Sequence, residues 1–382
     1  MTPSASDRPL RKNVGNQPSS LLAYVSIDDH PMSYPMTDDL RIQWTELLLP
    51  PAFFERQLPI SEKSSVAIHQ FRSEIAKILE ADDHRLLVVV GPCSIHDARA
   101  AREYAVLLKG AIEEFGRELR LVMRLYLEKP RTTVGWKGLI NDPYLDQSFK
   151  INDGLRLARH LLVDLAEMGV PAGTEFLDMI IPEYLAGLVS WGAIGARTTE
   201  SQLHRQRVSG LACPVGFKNS TSGDVQVAIE AIQSAAHPHC FLGLTKNGQS
   251  AIFVTTGNPL CHVILRGGRT TVNYKADSIS QVACMLEKAG LPPRLMIDCS
   301  HDNSRKDHRQ QPSVCREVAE QIRQGNRRII GVMMESNLVA GAQKLVVGQS
   351  LVYGKSITDP CMGWQETHDL LRLLAEAVRT GR

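Results

Sequence analysis

Short apolar segments recur eight times between residues 86 and 333, and amphipathic helical stretches separate most of them. Such runs are typical of buried parallel strands, and the stretches between them carry apolar residues at helical spacing. The predicted strands are residues 86–91, 119–126, 171–176, 193–197, 214–217, 261–265, 294–298 and 328–333; the predicted helices are residues 98–115, 154–168, 184–191, 225–235, 278–289, 314–324 and 367–378. Eight such units predict a (β/α)8 TIM barrel of about 250 residues plus insertions. A doubly wound open sheet is the alternative.

Two regions lie outside this repeat. Residues 241–244 and 251–255 flank Asn247-Gly248, a pair typical of tight turns, so we expect an inserted β-hairpin before barrel strand six. Residues 62–80 have helical spacing, whereas residues 47–54, with two prolines, predict a packed but irregular segment. Residues 1–39 are polar and predict a loose arm. We therefore divide the chain into residues 1–69, an N-terminal arm and lead-in segment for oligomerisation or regulation, and residues 70–382, the catalytic barrel.

Composition excludes several classes of protein. The net charge is +2 and no block of Lys and Arg occurs, which predicts no nucleic acid or anionic membrane as a partner. We expect a cytoplasmic protein, because no apolar stretch is long enough to span a bilayer and residues 1–17 lack the apolar centre of a secretory signal. The 8 cysteines are scattered without a CxxC pair and are expected to be mostly reduced.

An ionisable or metal-ligating residue follows each predicted strand. The carboxyl ends of barrel strands converge at one mouth, where the active sites of such barrels lie. Residues from distant parts of the chain are therefore expected to form one cluster. In strand order, these residues are Cys93, Arg124 with Lys129, Glu175, Arg197, Lys218, Arg266, His301 and Glu335.

One part of this cluster resembles a metal site in its chemistry. Cys93, His301 and Glu335, with Asp359 beyond the last strand, supply one sulfur, one nitrogen and two carboxylates. This set suits Mn²⁺, Fe²⁺, Co²⁺ or Zn²⁺, since Mg²⁺ and Ca²⁺ prefer oxygen alone. Taken singly, each residue has an ordinary structural explanation as a core thiol, a hydrogen-bonding histidine or a surface acid. Their shared position at strand ends favours one divalent metal ion.

The other part of the cluster is cationic. Arginine forks match phosphate and carboxylate oxygens, and lysine supplies a point charge. Crowded cations repel one another unless anions lie between them, so we expect more than one anionic, phosphorylated substrate. A solvated surface is the ordinary explanation for any one of them, but an unpaired charge beside a buried strand is costly. The set is Arg124, Lys129, Arg131, Arg197, Lys218 and Arg266.

Five longer motifs occur in order along the chain. They are GPCSIHD at residues 91–97, EKPRTTVGWKG at 128–138, GARTTESQ at 195–202, PVGFKN at 214–219 and LRGG at 265–268. Together they resemble the type I 3-deoxy-D-arabino-heptulosonate 7-phosphate (DAHP) synthases, also called phospho-2-dehydro-3-deoxyheptonate aldolases. The resemblance runs from about residue 45 to the C-terminus.

The resemblance implies a (β/α)8 transferase that condenses phosphoenolpyruvate with erythrose 4-phosphate and water, releasing phosphate. This is the first step of the shikimate pathway to chorismate and the aromatic amino acids. It implies that Lys129, Cys93, His301 and Glu175 are catalytic, with Glu175 near the attacking water, and that the metal ligands are Cys93, His301, Glu335 and Asp359. For phosphoenolpyruvate it implies Arg124, Lys129, Ala196, Arg197, Lys218 and Arg266, and for erythrose 4-phosphate Pro130, Arg131 and Thr132.

Some positions depart from the family's usual residues. Asp302 stands where a small residue is usual, and Ser220 and Ser222 lie in a segment that commonly has Gly and Asp. The extra carboxylate would either raise metal affinity or disfavour the phosphorylated substrate.

The family is inhibited by phenylalanine, tyrosine or tryptophan, so an aromatic amino acid is an expected effector. We identify Met179, Glu183 and Ala212 as candidate regulatory residues. Ala212 replaces the usual Ser, and Glu183 stands where a neutral residue is expected. These two differences predict feedback that is weaker, altered in specificity or absent. Neutral drift with inhibition intact is the alternative.

The resemblance also implies a homodimer or homotetramer in which the N-terminal segment crosses to a neighbour. Two rival functions are a synthase for another phosphosugar, against which the motif at residues 129–132 argues, and a non-catalytic scaffold barrel, which would be expected to lose ligands.

Overall fold

A computed structural model of the protein describes residues 37–131, 133–346 and 348–382, and strands and helices alternate along most of them. The strands are β1 (Leu86–Gly91), β2 (Leu119–Arg124), β3 (Ala172–Glu175), β4 (Trp191–Ile194), β5 (Val215–Lys218), β6 (Cys240–Leu244), β7 (Ser250–Val254), β8 (Cys261–Leu265), β9 (Leu295–Asp298), β10 (Ile329–Glu335), β11 (Val339–Ala342) and β12 (Lys355–Ser356). The helices are α1 (Pro51–Gln57), α2 (Glu62–Glu80), α3 (Ala98–Phe115), α4 (Ile151–Met168), α5 (Ile181–Leu185), α6 (Gln202–Val208), α7 (Gln226–Ala235), α8 (Ala276–Lys288), α9 (Gln311–Arg323) and α10 (Trp364–Gly381).

Eight of these strands close into one parallel barrel, so the predicted (β/α)8 fold is confirmed. Their order is β1-β10-β9-β8-β5-β4-β3-β2. Strands β1 and β10 complete the barrel by pairing in parallel, from Leu87 opposite Gly331 to Gly91 opposite Glu335. The open-sheet alternative is wrong, because the first barrel strand pairs with the last and leaves this sheet without edges.

Helix α2 packs on the amino-terminal end of the barrel. Its Ile75 and Ile78 belong to the same buried core as Val89 and Trp191 of the barrel strands. Arg72 of this helix donates to the carbonyl of Val189, just before β4, at 2.9 Å. Because this end is covered, the carboxyl-terminal end of the strands is the one that remains available for a site.

The predicted hairpin is confirmed. Strands β6 and β7 pair antiparallel, from Cys240 opposite Val254 to Leu244 opposite Ser250, and lie between α7 and the sixth barrel strand, β8. Gly248 in the connecting turn has φ +80°, a value that glycine adopts readily. The Asn-Gly pair in the sequence marked this turn for that reason.

Three local predictions were wrong. Residues 51–57 form helix α1, whose first residue is Pro51, a position that tolerates proline because its amide has no helical partner. The helix predicted over 184–191 ends earlier, and strand four begins at Trp191 instead of residue 193. Short apolar runs cannot be assigned to helix or strand from periodicity alone. Helix α6 was not predicted, because few of its residues are apolar.

Leu49–Arg382 form one compact unit, and the described residues 37–48 are not part of it. Most of the predicted N-terminal arm, residues 1–36, lies outside the described residues. The division of roles at residues 1–69 and 70–382 therefore stays a prediction. None of the helices in the described ranges has the length and apolar composition to cross a membrane.

Candidate active site

A cavity of about 630 Å³ opens at the carboxyl ends of the barrel strands. Cys93 is buried at its edge, and Thr132 lies outside the described residues. The predicted convergence of strand-end residues at one mouth is therefore observed, while the individual roles stay predictions. The walls include Arg124, Lys129, Pro130, Arg131, Glu175, Ala196, Arg197, Lys218, Arg266, His301, Glu335 and Asp359.

Three of the predicted metal ligands lie together. One ligand atom from each of Cys93, Glu335 and Asp359 falls within 4.8 Å of the others. The Nε2 of His301 lies 3.9 Å from the Oε1 of Glu335, at the edge of the same group. Sulfur, imidazole and carboxylate in this proximity fit a single borderline divalent ion.

Burial and the neighbouring Glu335 raise the pKa of the Cys93 thiol to about 11. The nearby Lys129 lowers this pKa without reversing the shift, so the thiol keeps its proton in the absence of a metal cation. A metal ion binds the thiolate and displaces that proton. The chemistry of the sulfur thus agrees with a metal site and disagrees with a free, reactive cysteine.

Lys129 is the cation nearest to this sulfur. Its Nζ lies 2.7 Å from the Cys93 Sγ and 3.1 Å from the Asp359 Oδ2. Burial by itself would lower the pKa of Lys129, but Cys93 and Asp359 raise it above its ordinary value. The lysine therefore stays an ammonium ion inside the protein, beside the metal ligands.

Arg124 is fully buried in the wall of the cavity. Its Nη1 donates to the Pro92 carbonyl at 2.5 Å, its Nη2 lies 2.9 Å from the Glu335 Oε1, and its guanidinium lies 3.6 Å from the centre of the Tyr126 ring. Burial by itself would lower the pKa of Arg124, but Glu335 raises it above its ordinary value. The arginine is a permanent cation that also orients a predicted metal ligand.

Asp298 was not identified from the sequence, although it ends β9 three residues before His301. Its Oδ2 lies 2.9 Å from the His301 Nδ1 and 3.0 Å from the Lys218 Nζ. Burial by itself would raise the pKa of Asp298, but the charges of His301 and Lys218 hold it well below its usual range. The His301 Nδ1 also lies 2.7 Å from the Ser300 Oγ, which donates to the Asp298 Oδ1 at 2.6 Å. The carboxylate and this hydroxyl together leave Nε2 facing the Glu335 side of the cavity, as second partners of metal-binding histidines do.

The other acids and cations divide between the wall and the rim. Arg131 and Arg197 are exposed at the mouth, and Arg269 and Lys306, which were not predicted, also line it. Glu175 lies against Gly195, where a Cβ would come within 2.2 Å of its Oε1. The glycine of the GARTTESQ motif therefore leaves the room that this carboxylate occupies.

Three of the unusual residues have clear contacts. The carboxylate of Asp302 forms an ion pair with Arg266, and both residues line the cavity. The hydroxyls of Ser220 and Ser222 lie 2.7 Å apart, and the Ser220 Oγ accepts from the Asp224 amide at 3.1 Å. The serines thus stabilise the loop after β5, whereas Asp302 directly contacts a residue that is predicted to bind substrate.

The candidate regulatory residues lie away from the cavity walls. Glu183 forms an ion pair with Arg207 of α6, and its Oε2 lies 3.9 Å from the Nζ of Lys246 beside the hairpin. Met179 is half-buried and Ala212 is exposed. Glu183 therefore connects α5, α6 and the hairpin, and the regulatory role of all three residues stays a prediction.

Comparison with known proteins gives consistent matches along the chain. The model of the DAHP synthetase I family matches residues 57–372. The "Phospho-2-dehydro-3-deoxyheptonate aldolase, Phe-sensitive" of Escherichia coli K12 is 57% identical over 351 residues, which cover 92% of this chain and 100% of that protein. The tyrosine-inhibited enzyme of the same name from Schizosaccharomyces pombe is 52% identical over 349 residues, with coverage of 90% and 94%.

A solved structure agrees with the fold. The phospho-2-dehydro-3-deoxyheptonate aldolase from Francisella tularensis SCHU S4 is 51% identical and superposes with a TM-score of 0.87. The match covers 89% of this chain and 99% of that one. Both the fold and the sequence over most of the chain are thus similar to those of these enzymes.

Proposed function

Because this chain belongs to the DAHP synthetase I family, we propose that its cavity binds phosphoenolpyruvate and erythrose 4-phosphate side by side. The protein is a DAHP synthase. It condenses these substrates and water to DAHP and phosphate, the first step of the shikimate pathway. The observation that carries this function is the convergence of buried cations and a metal-ligand group at one barrel mouth.

The phosphoenolpyruvate subsite is the cationic wall. Lys218 and Arg266 are buried there and Arg197 is at the rim, so together they can surround a phosphate, with Ala196 beside them. Arg124 and Lys129 lie deeper and suit the carboxylate. Anions gain most from such groups where water is excluded and the positions of the charges are held in advance.

The erythrose 4-phosphate subsite is the rim formed by residues 130–132. Arg131 is exposed at the mouth, where its guanidinium can meet a phosphate. Gly135 lies against it: a Cβ there would come within 2.8 Å of the Arg131 Nε. The glycine of this motif thus leaves space for the arginine. Thr132 completes the motif in the sequence.

The family requires a metal, and the residues present fit one divalent ion held by Cys93, His301, Glu335 and Asp359. We propose Mn²⁺, Fe²⁺, Co²⁺ or Zn²⁺, because a thiolate ligand disfavours Mg²⁺ and Ca²⁺. Such an ion would serve as a Lewis acid for the aldehyde oxygen of erythrose 4-phosphate.

The chain's own residues perform the remaining tasks. The Lys129 ammonium donates its proton to the aldehyde oxygen as the C3 of phosphoenolpyruvate bonds to the aldehyde carbon, so that this oxygen becomes a hydroxyl. Water then adds to C2 and gives one proton to Glu175, at the end of the neighbouring strand β3. The second proton of the water passes to the departing phosphate as the bond between C2 and the phosphate oxygen breaks and the ketone forms. The cations hold two anions that repel each other within bonding distance, which is mainly a positioning task.

Regulation is altered in this chain. An effector that contacts residue 212 loses a hydroxyl partner at Ala212, and Glu183 is already engaged by Arg207 and Lys246. Loss of one hydrogen bond weakens binding by about 0.5–1.5 kcal/mol. Aromatic amino acids therefore inhibit this enzyme less strongly than relatives named as sensitive to them, or with different specificity.

The assembly and location follow the family by analogy. A homodimer or homotetramer in the cytoplasm is our proposal. Sedimentation of the full chain with and without residues 1–36 tests the first part, since removal of a crossing arm would shift the assembly towards smaller species.

The central test is phosphate release from phosphoenolpyruvate by Mn²⁺-loaded protein, with and without erythrose 4-phosphate. We expect release that requires the aldehyde and stops on chelation. Each aromatic amino acid is then added in turn to obtain the inhibition profile. Absence of release with any of the four metals would overturn the function, and release with a different phosphosugar in place of erythrose 4-phosphate would reassign the substrate.

A further inference from the structure

The ion pair between Arg266 and Asp302 stands inside the cavity itself. The side chains are 7% and 14% exposed, and both residues line the cavity. By contrast, Asp298, which pairs with Lys218, is 0% exposed and lies beneath the substrate space. Asp302 is therefore a counterion on the surface that a substrate would meet.

The backbone holds Asp302 in this place. The amides of Asp302 and Asn303 both donate to the Arg266 carbonyl at 3.2 Å. Gly267 has φ +78°, and a Cβ on it would come within 2.6 Å of the Asn303 nitrogen. The turn that carries the carboxylate thus packs directly on the residue whose guanidinium it binds, and the pair is built into the loop.

The guanidinium is not fully satisfied by this contact. Among the polar atoms that the structure describes, the Arg266 Nε is buried without a hydrogen-bond partner. A carboxylate bound at Nη1 leaves other N–H donors of the guanidinium available. A phosphate matches these donors better, because it offers three oxygens. Asp302 therefore makes some of the contacts to Arg266 that a bound phosphate would make, but not all of them.

We propose that Asp302 is a specificity-determining residue that occupies Arg266 while the site is free of substrate and must be displaced by an incoming phosphate. This inference rests on the proposed phosphoenolpyruvate subsite. A ligand with several contacts, such as phosphoenolpyruvate, displaces the carboxylate, whereas inorganic phosphate competes poorly. After the reaction, the return of Asp302 to Arg266 assists the release of the phosphate product.

The size of the effect on phosphate binding depends on the fraction of molecules in which Asp302 does not occupy Arg266. Where only a fraction of molecules is competent to bind, the apparent Kd is the intrinsic Kd divided by that fraction. If the pair is closed in about nine molecules of ten, its removal lowers the apparent Kd for phosphate about tenfold. If the ion pair had only a structural role, its removal would instead raise the apparent Kd for phosphate, since loss of the loop structure would weaken binding.

The test compares Asp302→Asn with wild type at one pH by calorimetry, with inorganic phosphate as the titrant and metal-free protein in the cell. We expect a Kd about tenfold lower, together with stronger product inhibition by phosphate in the Mn²⁺-loaded enzyme. Asp302→Glu, which retains the charge, should return both values towards wild type. Asp307→Asn removes one charge from the same loop outside the cavity, where Asp307 pairs with Arg309, and should change neither value.

A Kd for phosphate that is unchanged or higher in Asp302→Asn overturns the inference, including when Mn²⁺ affinity falls, which would place Asp302 with the metal instead. If Asp302→Asn does not fold, Asp302→Ala, which places a small residue at this position, takes its place and should give the same lower Kd for phosphate. Wild-type turnover separates this result from the proposed function. An active wild type with unchanged phosphate binding in the variant refutes only the role of Asp302, whereas an inactive wild type refutes the function.

Discussion

The ammonium nitrogen of Lys129 lies 2.7 Å from the sulfur of Cys93. The contact joins the residue proposed to hold the reacting aldehyde to a residue proposed to hold the metal. Each group shifts the pKa of the other, because the charge of one stabilises the opposite charge of its neighbour. The substrate and metal subsites of this barrel therefore share an electrostatic contact.

Lys129→Ala should lower kcat by about 10²–10³-fold, the usual effect of removing one preorganised donor from a developing oxyanion. The fold should survive, so thermal unfolding is measured beside turnover. Lys137→Ala is the matched control, because Lys137 is an exposed lysine of the same motif. Near-normal turnover in Lys129→Ala would refute the role of this lysine.

Cys93→Ser should retain less metal per chain after dialysis, because a hydroxyl is a poor substitute for a thiolate with borderline ions. Elemental analysis of wild type and variant, each loaded with Mn²⁺ or Zn²⁺, measures the difference. Cys240→Ser removes an exposed thiol and should behave as wild type. Equal metal content in Cys93→Ser would reject Cys93 as a ligand.

Asp298→Asn should weaken metal affinity by about 10- to 100-fold, as loss of the second partner of a metal-binding histidine does. It should also raise the KM for phosphoenolpyruvate, because the same oxygen faces Lys218. Metal titration and substrate kinetics are the two measurements. Asp277→Asn, at an exposed position in α8, is the control. A variant that loses stability while metal affinity and KM both stay unchanged would mean that Asp298 has a structural role only.

Glu128→Gln should alter the dependence of stability on pH. Burial and the nearby Asp178 raise the pKa of Glu128 to about 8, so the folded protein binds its proton more tightly than the unfolded chain does. The stability from this group is complete at low pH and is lost as pH rises from the unfolded value of about 4.5 towards 8. Glutamine resembles the protonated acid, so the Tm of the variant should fall less than that of wild type between pH 5 and 8.

The same Tm series on Glu317→Gln provides the control for Glu128. Glu317 forms an ion pair on the surface with Lys275, and its side chain is 41% exposed. Its replacement should leave the pH profile parallel to that of wild type. Parallel profiles for Glu128→Gln as well would show that Glu128 titrates normally.

Ala212→Ser should strengthen inhibition by one aromatic amino acid by about 2- to 13-fold, which corresponds to one restored hydrogen bond of about 0.5–1.5 kcal/mol. Inhibition constants for phenylalanine, tyrosine and tryptophan are compared with those of Ala212→Cys, whose thiol is a weak donor of similar size. Potent inhibition of the wild-type enzyme by any of the three would contradict weakened feedback.

The part of the site that is formed by side chains at the carboxyl ends of the barrel strands was predictable from the sequence. Lys218 and Glu335 end apolar strands, and His301 follows one closely, so closure of a parallel barrel alone is enough to bring them to one mouth. The hairpin was predictable because an Asn-Gly turn is a local signal. The bounds of β4 were not predictable, because an apolar residue such as Trp191 fits a buried helix as well as a buried strand.

The sequence by itself determined that the residues at the ends of the predicted strands meet at the barrel mouth, since their order and spacing follow the repeat of strand and helix. Only the tertiary structure decided how they pair. Lys218 faces Asp298, and Arg266 faces Asp302, because the pairing depends on the pleat of neighbouring strands and on how the loops after β8 and β9 pack. An ion pair acts over a few ångströms, and contacts at that distance between residues far apart in the chain leave no periodic signal in the sequence.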